Sequence, residues 1–296
     1  MKIGIDLGGS HIAIGLFDER NNLISKKEYN WTKEDKTNFN SAVEKYCKKL
    51  IKEIINENNI EQIEKIGIGY PSKDIINGVI YIKNNPFNLS EFLSNEFKVP
   101  VYLKNDVKCS AMCEKTIGSL KSYDNCLFMT LGTGIGGAYF YKNQLVTPNK
   151  YQGFEIGHMI IDVNGKECRC GRKGCFEEYA SMRTFRKQIE DLFNIGSLTS
   201  YKMFEILESR EKKDEINEII DNYLEYLSIG ISNLINIFEP DAICIGGSFS
   251  YYAPIFMDKL KEKLQKNFES RIIPDLLIAK YENDAGIIGA SMLESN

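Results

Sequence analysis

The sequence predicts an α/β protein built from two domains that pack together with a cleft between them. Three observations carry this prediction. The chain has 296 residues, about twice the length of an average domain. Strand-like and helix-like stretches alternate along it, and a similar glycine-rich turn follows a strand in each half. No Pro- or Ser-rich linker separates the halves, so we expect the domains to be in contact.

The first half begins with a predicted meander of three strands. These are residues 2–7, 12–17 and 23–29, which are separated by a Gly8-Gly9 turn and an Asn21-Asn22 turn. Further along, periodic apolar residues predict helices from Phe39 to Asn58-Asn59, over 107–114 and over 252–268, and a mainly helical region over 182–238. Short apolar runs predict strands at 65–70, 101–103, 125–130 and 242–245.

The composition excludes several classes of protein. With 43% hydrophobic and 26% charged residues, the chain is predicted to be globular rather than disordered. Its net charge of -4 leaves no excess of cations for a phosphate backbone, so we expect no nucleic-acid partner. No window approaches the roughly 18 consecutive apolar residues of a membrane helix, so we expect no membrane partner. An acid at Asp6 interrupts the region where a signal peptide is apolar, which favours a cytoplasmic protein.

Two glycine-rich turns are candidates for binding phosphate. Gly8-Gly9-Ser10 and Gly132-Thr133-Gly134 each join two predicted strands. Glycine lets backbone N–H groups approach a phosphate, and the hydroxyl groups of the two turns add donors. Each turn alone fits an ordinary hairpin better, but two in one chain favour phosphate binding. Gly132, Gly134 and Gly137 also match the dinucleotide-binding pattern, although a β-prone stretch follows where that motif needs a helix.

Three cysteines form the strongest local motif. Cys168, Cys170 and Cys175 lie within eight residues, with glycines between them that let the backbone fold around one ion. A closed zinc site needs a fourth ligand, and His158 lies ten residues before Cys168. The alternative is three incidental cysteines in a loop. The other five cysteines lie on apolar faces and are predicted to be core residues; they are Cys47, Cys109, Cys113, Cys126 and Cys244.

Carboxylates supply the candidate catalytic and binding groups. Asp106, in the pair Asn105-Asp106, follows a predicted strand and opens a predicted helix. It could accept a proton from a substrate hydroxyl or cap the helix, and position alone does not decide between the two. Glu155 and Glu177 bracket the cysteine motif, so folding around zinc would bring both to one place. Solvated surface carboxylates are the alternative for these two residues.

Taken together, these motifs resemble the ROK family (repressor, open reading frame, kinase) of sugar kinases, within the actin-like ATPase superfamily. The resemblance extends over nearly the whole chain. It rests on Asp6 to Ser10 and Leu131 to Gly137 as the two phosphate motifs, on Asn105-Asp106 as the catalytic pair, on Glu155 to His158 with Cys168 to Glu177 as the zinc and sugar signature, and on Gly246-Gly247-Ser248 as the nucleotide-side loop.

The resemblance implies a role for each matched residue. Asp106 would be the general base that takes the proton from a sugar hydroxyl, and Asp6 would help to position the magnesium of MgATP. The two glycine turns would bind phosphates, with Gly246 and Gly247 near the adenosine. The other sugar hydroxyls would be held by Asn105, Glu155, His158 and Glu177. A structural Zn²⁺ would be bound by His158, Cys168, Cys170 and Cys175, with the second ring nitrogen of His158 on the sugar.

The resemblance also implies an actin-like (ribonuclease H-like) ATPase fold. We expect an N-terminal actin-like domain over 1–118 plus 284–296, and a C-terminal actin-like domain with the zinc-binding loop over 119–283. Repressor members of the family carry an additional N-terminal DNA-binding domain, which we expect to be missing because the first predicted strand begins at Lys2.

The expected activity is ATP-dependent phosphorylation of a hexose, with C6 of glucose as the first choice. The alternatives are an N-acylhexosamine such as N-acetylmannosamine or N-acetylglucosamine, or fructose. A non-catalytic sugar-sensing regulator is the alternative from another class, against which Asp106 and both phosphate turns argue. We expect a hexose and ATP as ligands and a homodimer as the assembly.

Overall fold

A computed structural model of the chain describes residues 1–71, 75–76, 79–82, 85–147, 154–268 and 271–294. The chain divides into two units, each with its own core. Unit 1 contains the described residues of Met1–Lys121, Val146–Gly153 and Asn283–Asn296. Unit 2 contains those of Ser122–Leu145 and Phe154–Glu282. That these units are domains with boundaries at 118/119 and 283/284 stays a prediction.

The strands follow the pattern predicted from the sequence, with additional strands at 75–87 and at 275–278. In chain order they are β1 (Lys2–Leu7), β2 (His11–Phe17), β3 (Leu23–Asn30), β4 (Lys65–Tyr70), β5 (Ile75–Ile76), β6 (Val79–Ile82), β7 (Asn85–Phe87), β8 (Val101–Asn105), β9 (Cys126–Leu131), β10 (Ile135–Tyr141), β11 (Gln144–Leu145), β12 (Ala242–Gly246) and β13 (Asp275–Ile278).

The helices include all those predicted and several short ones besides. They are α1 (Lys33–Thr37), α2 (Phe39–Glu57), α3 (Leu89–Phe97), α4 (Asp106–Thr116), α5 (Glu177–Ala180), α6 (Met182–Phe193), α7 (Ser200–Glu208), α8 (Lys213–Phe238), α9 (Ala253–Phe268) and α10 (Ala285–Ser291). Among the described residues, no helix is both long enough and apolar enough to cross a membrane.

The main sheets of the two units have the same topology. In unit 1 the order is β3-β2-β1-β4-β8, and in unit 2 it is β11-β10-β9-β12-β13. In each, the first three strands in the chain form an antiparallel meander and the last two are added in parallel. The glycine-rich turn joins the first and second strand in both sheets. The similarity between the two glycine motifs therefore reflects equivalent positions in two similar sheets.

Glycines allow the helices of unit 1 to approach the sheet closely. A Cβ atom added to Gly67 of β4 would lie 1.7 Å from the carbonyl oxygen of Ala290 in α10. One added to Gly289 of α10 would lie 1.7 Å from the carbonyl oxygen of Cys109 in α4. Because no side chain fits at these positions, α10 packs directly on both the sheet and α4. The C-terminal helix thus belongs to unit 1, beside the helix that begins with Asp106.

The cores agree with the predicted apolar faces. Alternating residues of β1, β2 and β4 and one face of α2 fill the core of unit 1, whereas α6, α8 and α9 pack on the sheet of unit 2. The five cysteines predicted as core residues are all buried. The sequence did not predict the three-stranded sheet β5-β6-β7. Its strands have two to four residues each, too few for a periodic pattern to be recognised.

Candidate active site

The pair Asn105-Asp106 lies at the end of β8, where the chain enters α4. The Oδ1 atom of Asn105 accepts hydrogen bonds from the backbone N–H groups of Val107 at 3.1 Å and Lys108 at 3.4 Å. Asn105 is therefore the N-cap of α4. Asp106 is the first helical residue and accepts the N–H of Val107 at 2.9 Å. The capping role that the sequence left open for Asp106 is filled by its neighbour.

Burial gives the Asp106 carboxyl unusual electrostatics. Its half-buried position raises its pKa from 3.8 to about 6, and the nearby charge of Asp6 acts in the same direction. Burial also raises the pKa of Asp6, while the charges of His11 and Lys26 oppose this effect. Asp6 on β1 is level with Gly69 on β4, and Gly69 is level with Lys104, the residue before Asn105. Parallel strands thus bring the two acids to one edge of the sheet.

The Gly8-Gly9-Ser10 turn follows β1 at the same edge. The N–H group of Gly8 donates to the carbonyl of His11 at 3.0 Å, which closes the hairpin. On its other side, the turn is held by Trp31. The indole Nε1–H donates to the carbonyl of Gly8 at 2.9 Å, and the backbone N–H of Trp31 donates to that of Ser10 at 2.9 Å. Gly9 and Ser10 are exposed.

The equivalent turn of unit 2 lies beside the Gly246-Gly247 loop. Within this turn, the N–H of Gly132 donates to the carbonyl of Gly134 at 3.0 Å. Gly246, the last residue of β12, is level with Thr130 of β9. Gly247 has a φ of +74°, and a Cβ atom there would lie 2.6 Å from the carbonyl oxygen of Leu131. The predicted phosphate turn and the predicted adenosine loop are therefore neighbours at one end of the sheet.

Next to these loops, unit 2 has a cavity of about 670 Å³. Its lining includes residues of both loops and cationic side chains from one helix, among them Gly132, Thr133, Ser248, Arg183, Arg186 and Lys187. The Nε atom of Arg186 is buried and has no hydrogen-bond partner among the described residues. These cations were not among the site residues predicted from the sequence. The sequence signal that could have identified them is their spacing, because Arg186 and Lys187 follow Arg183 by three and four residues in a region predicted to be helical.

The four predicted zinc ligands come together in unit 2. One donor atom from each of His158, Cys168, Cys170 and Cys175 lies within 4.8 Å of all the others. The Cys170 and Cys175 sulfurs are 3.5 Å apart, and Nδ1 of His158 is 3.8 Å from the Cys168 sulfur. Tetrahedral zinc with bonds of about 2.3 Å to sulfur separates two sulfurs by about 3.8 Å. The side chains therefore fit a zinc ion.

The loop that carries the thiols is a tight hairpin. Gly171 and Gly174 have φ values of +86° and +72°, and a Cβ atom on Gly174 would lie 1.6 Å from the carbonyl oxygen of Asp162. Arg172 donates from Nε to the Cys170 sulfur at 3.4 Å and lowers the pKa of that thiol to about 6. Burial instead raises the pKa of Cys168 to about 12. A metal ion would therefore have to stabilise the Cys168 thiolate.

Glu177 connects the thiol cluster with the glycine turn. Its side chain is buried, and Oε1 lies 3.5 Å from the Cys168 sulfur and 3.7 Å from Nδ1 of His158. A Cβ atom on Gly134 would lie 2.6 Å from the other carboxylate oxygen. Because Nδ1 of His158 faces the thiols, Nε2 is the nitrogen left for another ligand.

Glu155 opens the 3₁₀ turn Ile156–His158 that carries the histidine. Its side chain is exposed and makes no capping hydrogen bond. The turn itself packs on β10, because a Cβ atom on Gly157 would lie 2.3 Å from the carbonyl oxygen of Ile135. The predicted site residues thus form two groups. Asp6, the first glycine turn, Asn105 and Asp106 are in unit 1, and the others are in unit 2.

The chain is similar to known proteins over nearly its whole length. The chain is 27% identical to a glucokinase of Thermotoga maritima, with 98% of this chain and 96% of the relative covered. It is also 27% identical to an N-acetyl-D-glucosamine kinase of Aliivibrio salmonicida, with 99% of each covered. The crystal structure of a ROK hexokinase from Thermus thermophilus covers 99% of this chain and 97% of its own, with 27% identity and a TM-score of 0.82.

This structural likeness confirms the predicted actin-like ATPase fold. The model of the ROK family matches residues 2–296, which is nearly the whole chain. The protein therefore belongs to the ROK family.

Proposed function

We propose that the protein is an ATP-dependent sugar kinase that phosphorylates a hexose on its C6 hydroxyl, with Asp106 as the general base. The observation that carries this proposal is the state of the Asp106 carboxyl. Asn105 caps α4 in its place, and burial with the charge of Asp6 raises its pKa to about 6. A carboxylate with a pKa near the working pH is suited to accept a proton from a hydroxyl.

In this reaction Asp106 removes the hydroxyl proton as the sugar oxygen attacks the γ-phosphorus of ATP in line. One bond to phosphorus forms, the bond to the β-phosphate oxygen breaks, and ADP leaves. Asp6 helps to position the magnesium of MgATP, and the Gly8-Gly9-Ser10 turn donates N–H groups to the phosphates.

The cavity of unit 2 supports a nucleotide as the phosphoryl donor. It combines Gly132 and Thr133 of the glycine turn, and Ser248 after Gly246-Gly247, with three cations on one helix. The buried Nε atom of Arg186, which has no hydrogen-bond partner among the described residues, is suited to an anionic oxygen.

The sugar is bound by Asn105, Glu155, His158 and Glu177. The zinc ion would be held by His158, Cys168, Cys170 and Cys175, where it supplies structural support and fixes the orientation of the imidazole. Nε2 of His158 and the Glu177 carboxylate then face the sugar hydroxyls as one preformed group. Glu177 is buried and its rotamer is already fixed by its neighbours, so little side-chain entropy is lost when the sugar binds.

Glucose is the first choice of substrate, because the complete set of zinc ligands and Glu/His residues resembles that of the glucokinases. N-acylhexosamines and fructose are the alternatives. A coupled assay that measures ADP release over a panel of hexoses tests the activity and ranks the sugars. Chromatography with light scattering tests the proposed homodimer, and metal analysis of the purified protein tests for about one zinc per chain.

A non-catalytic sugar-sensing regulator is the alternative from another class. It predicts sugar binding by calorimetry without ADP release on any sugar of the panel. That result would contradict the kinase proposal. ADP release that depends on both a hexose and Asp106 would exclude the regulator.

A further inference from the structure

We propose that Trp31 is a positioning residue for phosphate binding, because its indole and its backbone N–H hold the two carbonyl groups that orient the Gly8-Gly9-Ser10 turn. The inference rests on the proposed function, in which this turn binds the phosphates of MgATP. It concerns a residue outside the motifs that define the family resemblance.

Peptide geometry determines where the N–H groups of the turn point. In a trans peptide the C=O of one residue and the N–H of the next point in opposite directions, because the six atoms are coplanar. Trp31 Nε1–H binds the Gly8 carbonyl at 2.9 Å, so the N–H of Gly9 must point away from Trp31. The backbone N–H of Trp31 donates to the Ser10 carbonyl, also at 2.9 Å. This hydrogen bond fixes the peptide group between Ser10 and His11 in the same way.

The turn is accessible to a ligand, whereas Trp31 is not. Trp31 is only 6% exposed, whereas Gly9 and Ser10 are exposed. No atom of the described residues would lie within 4 Å of a Cβ atom added to Gly9, so this side of the turn is uncovered there. The N–H groups that point away from Trp31 are therefore directed to the side from which a ligand can approach. Preorganised donors of this kind bind an anion without the cost of reordering the loop.

Trp31 is itself held in place by its neighbours. Its ring packs edge-to-face against Tyr29 at 5.7 Å and Phe39 at 5.6 Å between centroids. The next residue, Thr32, caps α1 in a capping box with Asp35. The indole is thus fixed from several sides, and its hydrogen bond constrains the turn rather than the reverse.

Trp31→Phe tests the proposal, because phenylalanine keeps an aromatic ring but cannot donate a hydrogen bond. We expect the KM for MgATP to rise by about tenfold, with the KM for the sugar within twofold of wild type. Phe39→Leu is the matched control. It removes a packing partner of Trp31 but leaves both hydrogen bonds to the turn, so it should lower the melting temperature without raising the KM for MgATP.

Trp31 is the only tryptophan of the chain, so its fluorescence gives a second measurement on the unmodified protein. We expect its emission to change on addition of MgADP, with the same Kd as in calorimetry. Binding of MgADP with no change in emission would overturn the proposal, as would equal KM values for MgATP in the two variants. This measurement also covers the case in which Trp31→Phe does not fold.

The two proposals fail in different ways. A wild-type protein that phosphorylates no hexose but binds MgADP contradicts the proposed function only. The Kd for MgADP in Trp31→Phe and Phe39→Leu then tests the role of Trp31. A protein that does not bind MgADP at all contradicts both proposals.

Discussion

Asp106 shows at the scale of one residue how a site can lower the stability of the fold that carries it. Its carboxyl is ordinary in the unfolded chain, with a pKa of 3.8, but burial and the charge of Asp6 raise the pKa to about 6 in the folded protein. The folded protein therefore binds this proton more tightly than the unfolded chain. As the pH rises from about 4 to about 6, ionisation of Asp106 progressively destabilises the fold, and above that range the cost stays constant.

Asp106→Asn separates this cost from catalysis. The amide keeps an oxygen for the N–H of Val107 but carries no charge. We expect turnover to fall by about 100-fold or more. The free energy of unfolding at pH 7.5 should increase by about 1 to 3 kcal/mol, since a shift of two pKa units corresponds to at most about 3 kcal/mol. Steady-state kinetics and denaturant titration measure the two effects.

The pH dependence provides the control for this variant. Its gain in stability should vanish below about pH 3, where the wild-type carboxyl is protonated in both the folded and the unfolded state. In the wild-type enzyme, kcat/KM should fall below about pH 6, because the base must be ionised. A variant with unchanged turnover and a lower melting temperature would instead mean that Asp106 has a structural role.

At the scale of one element, the zinc-binding loop couples the metal to the sugar. The loop brings Cys168 next to Oε1 of Glu177, and the same carboxylate approaches Gly134 through its other oxygen. Loss of the metal would leave the buried thiols and the carboxylate without a common cation. The orientation of Glu177 and His158 should therefore depend on the zinc ion.

Cys175→Ala tests this coupling. We expect a lower zinc content and a sugar KM raised by about 10 to 100-fold, because metal support of the binding groups is lost. The Kd for MgADP by calorimetry should stay nearly unchanged. Cys244→Ala is the control, since it removes a buried cysteine of the same unit that belongs to β12 and not to the thiol cluster. Sugar kinetics that are unchanged in zinc-free Cys175→Ala protein would disprove the coupling.

Two glycines in the turn of unit 2 could be substituted to test nucleotide binding, and they differ in their surroundings. A side chain at Gly134 would meet Glu177, so that position cannot separate the nucleotide from the sugar. No described atom would lie within 4 Å of a Cβ atom on Gly132, and Gly132 lines the cavity. Gly132→Val should thus raise the KM for MgATP by about tenfold or more with little change in melting temperature. Gly134→Val should raise the sugar KM as well, and the reverse pattern in the two variants would contradict the assignment.

These elements also show what the sequence could and could not predict. The meander, α2 and the long helices have periodic apolar faces, so their positions followed from local patterns. The thiol ligands lie within one short segment, and their spacing was sufficient to predict the cluster. The cations of α6 and the bond from Trp31 to Gly8 could not be predicted in this way, because they depend on contacts between segments. Gly134 was predicted only as a phosphate ligand, since its proximity to Glu177 arises from tertiary packing.

At the scale of the whole molecule, the repeated sheet topology predicts two units that fold on separate cores. Unit 1 is discontinuous, because α10 at the end of the chain packs on β1, β4 and α4 near its beginning. Contacts between the ends of a chain in one unit require close packing to offset the entropy of closing a long loop. Gly67 and Gly289 provide that packing, since each meets the backbone of a neighbouring element.

Gly67→Val tests both the packing of α10 and the division into domains. The branched side chain would collide with the backbone of Ala290, so α10 must move away from the sheet, and we expect a loss of about 3 kcal/mol or more in stability. Hydrogen exchange should then show weaker protection in β1, β4, α4 and α10, while β9 and β12 keep theirs. Gly196→Val is the control, because in the part of the chain that the structure describes no atom lies within 4 Å of a Cβ atom at that position. Loss of protection in both sheets together would mean that the two units unfold as one cooperative structure and are not separate domains.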